Sequence, residues 1–153
     1  MRVERQIHVD VPPRVVWDHI SEPLNYPSFM AGITRWDVEG DKRRGMGARY
    51  AMRMKVGSAE VGGLIEIVEF EEPYDIAWTS ITGIDQRGRW RLREREDGGT
   101  EVTLRLSYHA EGGLLGVITD RVAAPMVGAN LKPSLEQLKS RLEAPTPEVV
   151  QLS

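Results

Sequence analysis

Two tyrosines are the clearest candidates for proton transfer in this sequence. Tyr50 and Tyr108 each alternate with polar residues in a predicted strand, so both are expected on the apolar face of a sheet. A phenol has an unperturbed pKa of about 10, which makes it a weak acid that can also hydrogen-bond a carbonyl group. The strand pattern directs no carboxylate or histidine of the central strands to that face, so no strong general base is predicted.

Two further polar side chains could orient a ligand. Arg5 shares strand parity with the apolar residues of the first strand, and it is predicted either to point inward or to extend to water from the strand end. A buried guanidinium would need a carboxylate or a ligand anion as its partner. Asn130 follows Met126 by one helical turn and is predicted either to hydrogen-bond a ligand carbonyl or to be a surface amide near Pro133.

The three histidines do not form a metal or catalytic site by their spacing. His8 and His109 have outward parity in the first and last predicted strands, and His19 falls on the exposed side of the first predicted helix. The acidic residues show no H-x-H or E-x-x-H spacing. The sequence contains no cysteine, which excludes disulfides, thiol catalysis and thiolate-bound metals. We therefore predict neither a metal nor a cofactor.

Large apolar side chains form a second kind of candidate site. Aromatic and methionine side chains line adaptable apolar pockets, and tryptophan and tyrosine add polar groups to such walls. Strand parity and helix phase direct nine residues toward one interior: Trp36, Tyr50, Met52, Met54, Trp78, Trp90, Tyr108, Met126 and Asn130. These side chains either line a ligand cavity or pack as an ordinary core.

A proline-containing segment after the first helix carries three further apolar residues, Tyr26, Phe29 and Met30. They are predicted to sit at the mouth of the cavity as a lid or portal, or to form a plug that packs on Trp17.

An antiparallel sheet would position most of these side chains. Seven segments alternate between apolar and polar residues, and the last two flank the turn Asp97-Gly98-Gly99, which is typical of a hairpin. Gly62-Gly63 suggests a bulge or bend in the fourth strand. A short helix is predicted from about Pro13 to Ile20.

The segment from Leu114 to Leu142 has apolar residues at helical spacing and can cover the apolar face of the sheet. Pro125 and Pro133 lack a backbone donor, so we expect either a kinked helix or a short helix followed by a longer one.

Length and composition fit a single domain over residues 1–143, followed by a tail, 144–153, that is expected to be disordered.

No apolar run approaches the ~18 residues that span a bilayer, and no signal-peptide core is visible, which favours a cytoplasmic protein without stable membrane insertion. The net charge of −3 gives no general attraction to nucleic acid. Arginines at alternate positions from Arg87 to Arg95 are expected to pair with nearby glutamates on a solvated face.

The chain resembles the START-like (SRPBCC) superfamily, in particular its polyketide cyclase/dehydrase-like branch. Short segments carry the resemblance: IHVDVP at 7–12, VW at 16–17, LNYPSF at 24–29, VEFEEPYDIAW at 68–78, GTEVT at 99–103, GGLLG at 112–116 and LEQLK at 135–139. Together and in this order they cover most of the chain.

The resemblance implies an α+β helix-grip fold, in which a curved seven-stranded antiparallel sheet wraps around a long C-terminal helix and two short helices follow the first strand. It also implies a hydrophobic small-molecule ligand, because members bind lipids, sterols, polyketides, hormones or quinones, and some catalyse aromatic ring closure. Fold alone does not decide the chemistry. We expect a carrier or sensor of a lipid, quinone or polyketide-like molecule, with a polyketide cyclase/dehydrase-type enzyme as the alternative. An interaction module that uses the arginine-rich outer face is a third hypothesis.

Overall fold

The computed structural model describes residues 2–109 and 120–144, and the side chains of 2–109 and 129–144. The elements in chain order are β1 (Arg2–Val9), α1 (Pro13–Ile20), a 3₁₀ turn (Pro23–Asn25), α2 (Tyr26–Phe29), β2 (Ile33–Glu39), β3 (Arg49–Val56), β4 (Ala59–Glu71), β5 (Asp75–Ser80), β6 (Asp85–Glu94), β7 (Thr100–His109) and α3 (Asp120–Glu143). This order confirms the predicted α+β helix-grip architecture.

All strand pairs are antiparallel, and the sheet order is β1-β7-β6-β5-β4-β3-β2. Alternation of residue type explains why the sheet has one buried face. In β3, for example, Tyr50 and Met52 are buried whereas Arg49 and Arg53 are exposed. The same period in β6 buries Trp90 between its exposed or half-exposed arginine neighbours.

The sheet curls around α3. This helix packs against β1, at one edge of the sheet, and against β3, next to the other edge. In a flat sheet, β1 and β3 would lie five strand spacings apart, or roughly 24 Å, which is about twice the diameter of a helix with its side chains. One helix can touch both strands only if the sheet is strongly curved.

The glycines of β4 allow a close backbone crossing rather than the predicted bulge. Gly62 and Gly63 stay in register with β3, and the shift in pairing occurs between Ile67 and Glu69. A Cβ atom on Gly63, whose φ is 150°, would collide with the Thr82 carbonyl group. Gly63 is therefore needed where β4 passes the loop between β5 and β6, whereas a Cβ atom on Gly62 would collide with the Met52 carbonyl group of β3.

The β6–β7 hairpin forms as predicted. Trp90 lies opposite Leu104, and the Asp97 carboxylate accepts a hydrogen bond from the Gly99 amide at 2.8 Å in the turn. Gly98 has a φ of 85°, a conformation that glycine adopts without steric cost.

Arginines of β6 on the outer face pair with carboxylates of β4 and β5. Arg89 binds Glu69 through two hydrogen bonds of 2.7 and 3.0 Å, and Asp75 lies within 3.4 Å of both Arg91 and Arg93. The predicted pairing with a glutamate is confirmed for Arg89, whereas the partner of Arg91 and Arg93 is Asp75, which the sequence pattern did not indicate.

The described part of α3 is one helix that contains both Pro125 and Pro133. Leu131, Leu135 and Leu138 are buried against the sheet. The part of the predicted apolar segment that precedes Ala129, the motif at 112–116 and the tail after Ala144 lie outside the described side chains. No helix in the described ranges is long and apolar enough to cross a bilayer.

The C-terminal turn of α3 is tied to the end of β1. Lys139 donates a hydrogen bond to the His8 carbonyl at 2.7 Å, and the Asp10 amide donates to Glu143 at 2.7 Å. The two ends of the fold are thereby joined by side-chain-to-backbone contacts.

Candidate ligand cavity

An apolar cavity lies between the concave face of the sheet, the segment that contains α2, and α3. The space open to the centre of a water molecule is about 90 Å³. One water molecule needs roughly 10–15 Å³ on this measure, so the space holds a considerably larger guest. Among the described residues, no charged side chain lines the wall, and its polar side-chain groups come from Ser21, Gln86, three tyrosines and the indoles of three tryptophans.

Seven of the residues that the sequence directed inward lie on this wall: Trp36, Tyr50, Met52, Met54, Trp78, Trp90 and Tyr108. Strand alternation explains their convergence, since each belongs to the face of the sheet that α3 covers. Their role as ligand contacts stays a prediction.

Three stacked rings form one side of the wall. Tyr26 of α2 stacks on Trp36 with ring centroids 4.7 Å apart and an interplanar angle of 10°, and Trp36 stacks on Tyr50 at 5.1 Å and 26°. Offset stacking of this kind adds to the area burial of aromatic side chains. The stack holds α2 on the sheet.

Two of the wall tyrosines use their hydroxyl groups to support the backbone. Tyr26 donates to the Ile20 carbonyl at 2.6 Å, and Tyr50 donates to the Arg43 carbonyl at 2.8 Å. Burial raises the pKa of Tyr50 to about 12 and raises the pKa of Tyr26 further. Near neutral pH both remain protonated and are poor proton donors to a ligand.

Trp78 reaches the wall because of a glycine on the next strand. Trp78 pairs with Gly88 across β5 and β6, and a Cβ atom on Gly88 would collide with the six-membered ring of the indole. The indole therefore lies directly over the backbone of β6.

Gln86 also lines the wall, although the sequence pattern did not single it out. Its side chain is only 7% exposed, and its amide nitrogen lies 3.6 Å from the sulfur of Met52. The alternation of β6 would have predicted this position, because Gln86 is two residues before Gly88 and four before Trp90 and therefore lies on the same face of the strand. The arginines that alternate with these positions are the more conspicuous feature of the strand, and they indicate its solvent-facing side.

The structure places Arg5 and Asn130 away from the cavity wall. Arg5 is exposed and donates to the Glu4 carbonyl at 2.8 Å, since β1 is an edge strand and a long side chain can bend around it to water. The Asn130 amide donates to the Lys55 carbonyl at 2.8 Å and packs against Gly32, so it ties α3 to β3. Arg5 thus follows the predicted alternative in which its side chain extends to water, and the Asn130 amide is used within the fold. The ligand contacts predicted for the two residues stay predictions.

The three residues predicted as a portal or plug have different positions. Tyr26 and Met30 line the cavity, whereas Phe29 is buried behind the wall with its ring 6.1 Å from that of Trp90. Met126, the remaining predicted ligand contact, lies outside the described side chains.

His19 is more buried than its helix phase predicted. Its ring lies 5.3 Å from that of Phe29, and its buried Nε2 atom has no hydrogen-bond partner among the residues that the structure describes. Burial, with a smaller contribution from the charge of Arg141, holds the pKa of His19 below its ordinary value.

This environment predicts a loss of stability in mild acid. Below the ordinary histidine pKa of 6.5, His19 is protonated more readily in the unfolded chain than in the folded chain. The free energy of unfolding therefore decreases as the pH is lowered. A His19→Leu variant should show a smaller decrease in Tm than the wild type between about pH 7.5 and about pH 5. Carboxylates such as Glu69 and Glu72, whose pKa values are lowered by hydrogen bonds from arginines, lose their contribution only below 4.5. Equal slopes for the two proteins would contradict the prediction.

Two groups of side chains outside the cavity are close enough to hold a metal ion: His8, Asp10 and Asp97, and Glu69, Glu71 and Asp75. Most of these side chains already contact other polar or charged groups. His8 Nε2 lies 2.9 Å from Asp10 and 3.3 Å from Asp97. In the second group, Glu69 and Asp75 contact arginines of β6. Ion pairing on the surface accounts for both arrangements.

The chain belongs to the family described as polyketide cyclase / dehydrase and lipid transport, whose model matches residues 1–143. An uncharacterized 17.2 kDa protein in the melC2-rnhH intergenic region of Streptomyces lincolnensis is 24% identical over 145 residues, which cover 93% of this chain and 89% of that protein. The match confirms the predicted family.

Two solved structures share the fold. A START superfamily protein from Mycobacterium smegmatis is similar with a TM-score of 0.76 and 13% identity, covering 99% of each chain. The Zhui aromatase/cyclase from Streptomyces sp. R1128 is similar with a TM-score of 0.73 and 18% identity, covering 94% of this chain and 93% of that one. These structures confirm the START-like fold, and at such identities they carry no more than the fold.

Proposed function

We propose that the protein binds a hydrophobic small molecule in the cavity between the sheet and α3, and that it acts as a carrier or sensor of that molecule. The observation that carries this proposal is an internal space whose described wall is apolar and uncharged. Family membership supports it, because the family description includes lipid transport.

Energetics favour a guest in such a space. Cavities cost about 24 cal/mol per Å³, so an empty space of about 90 Å³ corresponds to roughly 2 kcal/mol of lost packing. An apolar molecule that enters restores dispersion contacts and removes its own surface from water. A lipid, a quinone or a polyketide-like ring system would each meet this requirement.

A ring-closing enzyme that uses the same cavity is less well supported. Proton transfer needs a group whose pKa is near the operating pH. Among the described wall residues the ionisable side chains are tyrosines, and burial raises the pKa values of Tyr26 and Tyr50. The similarity to an aromatase/cyclase concerns the fold and does not supply the missing base.

The binding proposal is tested with a neutral apolar fluorophore, N-phenylnaphthylamine, whose emission rises in an apolar site. Ile65 lines the cavity and is 3% exposed, so Ile65→Phe places extra ring atoms in the space. We expect this variant to bind the fluorophore at least about tenfold more weakly than the wild type, because filling the space removes the site.

The matched control is Val68→Phe on the same strand, since Val68 is 43% exposed and does not line the cavity. It should bind like the wild type. Absence of saturable binding to the wild type, or equal binding to both variants, would overturn the proposed site. Native mass spectrometry of freshly purified protein should in addition detect an apolar molecule that dissociates on denaturation.

A further inference from the structure

The strongest polar feature of the cavity is the side chain of Gln86. It is 7% exposed, and among the described residues its one hydrogen-bond contact is between the amide nitrogen and the Met52 sulfur at 3.6 Å. A thioether is a weak acceptor, and a buried amide that lacks good partners destabilises the fold. This cost makes sense at a position where a guest supplies the missing hydrogen bond.

The position of Gln86 suits recognition. It lies opposite Tyr108 across β6 and β7, on the same face as Trp90, so one amide group is set within an otherwise apolar wall. A small number of polar groups in an apolar pocket is the arrangement that fixes the orientation of a ligand.

The wall also contains a surplus of hydrogen-bond donors. Among the described residues, the indole nitrogen of Trp36 is buried without an acceptor. The Gln86 amide nitrogen, whose described partner is the weak acceptor of Met52, favours a ligand that brings an acceptor oxygen.

The absence of charge among the described wall residues limits the ligand further. A carboxylate buried there would lie among apolar groups, where an unpaired charge is strongly disfavoured. One guanidinium next to the wall belongs to Arg44, which is exposed and donates a hydrogen bond of 2.8 Å to the cavity residue Ser21. An anionic ligand would need to reach Arg44, beyond Ser21.

We propose that Gln86 is the residue that orients the ligand, and that the ligand is an uncharged apolar molecule with a carbonyl oxygen that accepts a hydrogen bond from Gln86. This inference rests on the proposed binding function. It narrows the ligand class from any hydrophobic molecule to neutral carbonyl compounds such as ketones, quinones or esters.

Three naphthalenes of similar size test the proposal by titration: ethylnaphthalene, acetylnaphthalene and naphthoate. We expect the wild type to bind the ketone about tenfold more tightly than the hydrocarbon, the upper range for one neutral hydrogen bond, and to bind the carboxylate more weakly than the ketone. In Gln86→Leu the preference for the ketone should fall to within about twofold, and affinity for the hydrocarbon should be retained.

A second measurement separates recognition from a structural role. Because the amide has poor partners in the free protein, replacing it with leucine should leave Tm unchanged or raise it. A large decrease in Tm would show that Gln86 supports the fold, and would overturn its assignment to the ligand.

The outcomes distinguish the two proposals. If none of the three naphthalenes binds, the binding function itself fails. If hydrocarbon and ketone bind equally to the wild type, the cavity binds ligands but Gln86 does not orient them. If naphthoate binds as tightly as the ketone, the neutral ligand class is wrong and a cationic contact such as Arg44 is indicated.

Discussion

A Gly88→Ala substitution is expected to abolish measurable binding of N-phenylnaphthylamine. The added methyl group would occupy the position of the Trp78 indole, which lies against the β6 backbone at Gly88. Gly88 is not in the left-handed region, so alanine introduces no backbone strain and the effect comes from the collision. The indole must then move into the cavity or away from the wall. Either movement changes the shape of the cavity wall. We expect the affinity for the fluorophore to fall at least about thirtyfold and the free energy of unfolding to decrease by about 1–3 kcal/mol.

The double variant Gly88→Ala/Trp78→Ala provides the control. Removal of the indole makes room for the methyl group, so the second substitution should cost less in the Gly88→Ala background than in the wild type. A coupling energy of about 1 kcal/mol or more in thermal or denaturant unfolding is expected for residues in direct contact. Additive effects, or wild-type affinity in Gly88→Ala, would refute the proposed role of the contact.

Ser134→Ala should destabilise the protein by about 1–2 kcal/mol, because it removes two hydrogen bonds and leaves the half-buried Ala31 amide without this acceptor. Ser134 is 0% exposed; its hydroxyl accepts a hydrogen bond from the Ala31 amide at 2.8 Å and donates one to the Asn130 carbonyl at 2.7 Å. Alanine favours the helical conformation, so the helix itself is not weakened. The variant loses the described hydrogen bond between this side chain and the segment after α2.

Urea unfolding of Ser134→Ala and of Ser140→Ala measures this effect. Ser140 is an exposed residue of the same helix, and its replacement should change stability by no more than about 0.5 kcal/mol. Equal stabilities of the two variants would show that the Ala31 amide finds another partner or that the bond is weak.

Strand parity was sufficient to predict much of the cavity wall. Residues such as Tyr50 and Trp90 alternate with charged neighbours in long strands, and one face of the sheet must be buried, so their direction is determined locally. Parity was insufficient for Arg5, because a long polar side chain on an edge strand can leave the face to which its Cβ points.

Other features depend on partners that are remote in sequence. The Asn130 amide is used by Lys55, and His19 is buried partly by Phe29, neither of which the pattern of a single helix reveals. The need for glycine at position 88 follows from the register of β5 on β6, which brings Trp78 to that point. Local periodicity predicts faces, whereas these contacts require the assembled sheet.

The contacts at the end of α3 have a consequence for self-association. β1 is an edge strand, and the free backbone groups of an edge strand can template pairing with another chain. Near its C-terminal end, Lys139 occupies the His8 carbonyl and Glu143 occupies the Asp10 amide. Side chains of the helix thus block this part of the edge, and the fold is protected there against growth into intermolecular β-structure.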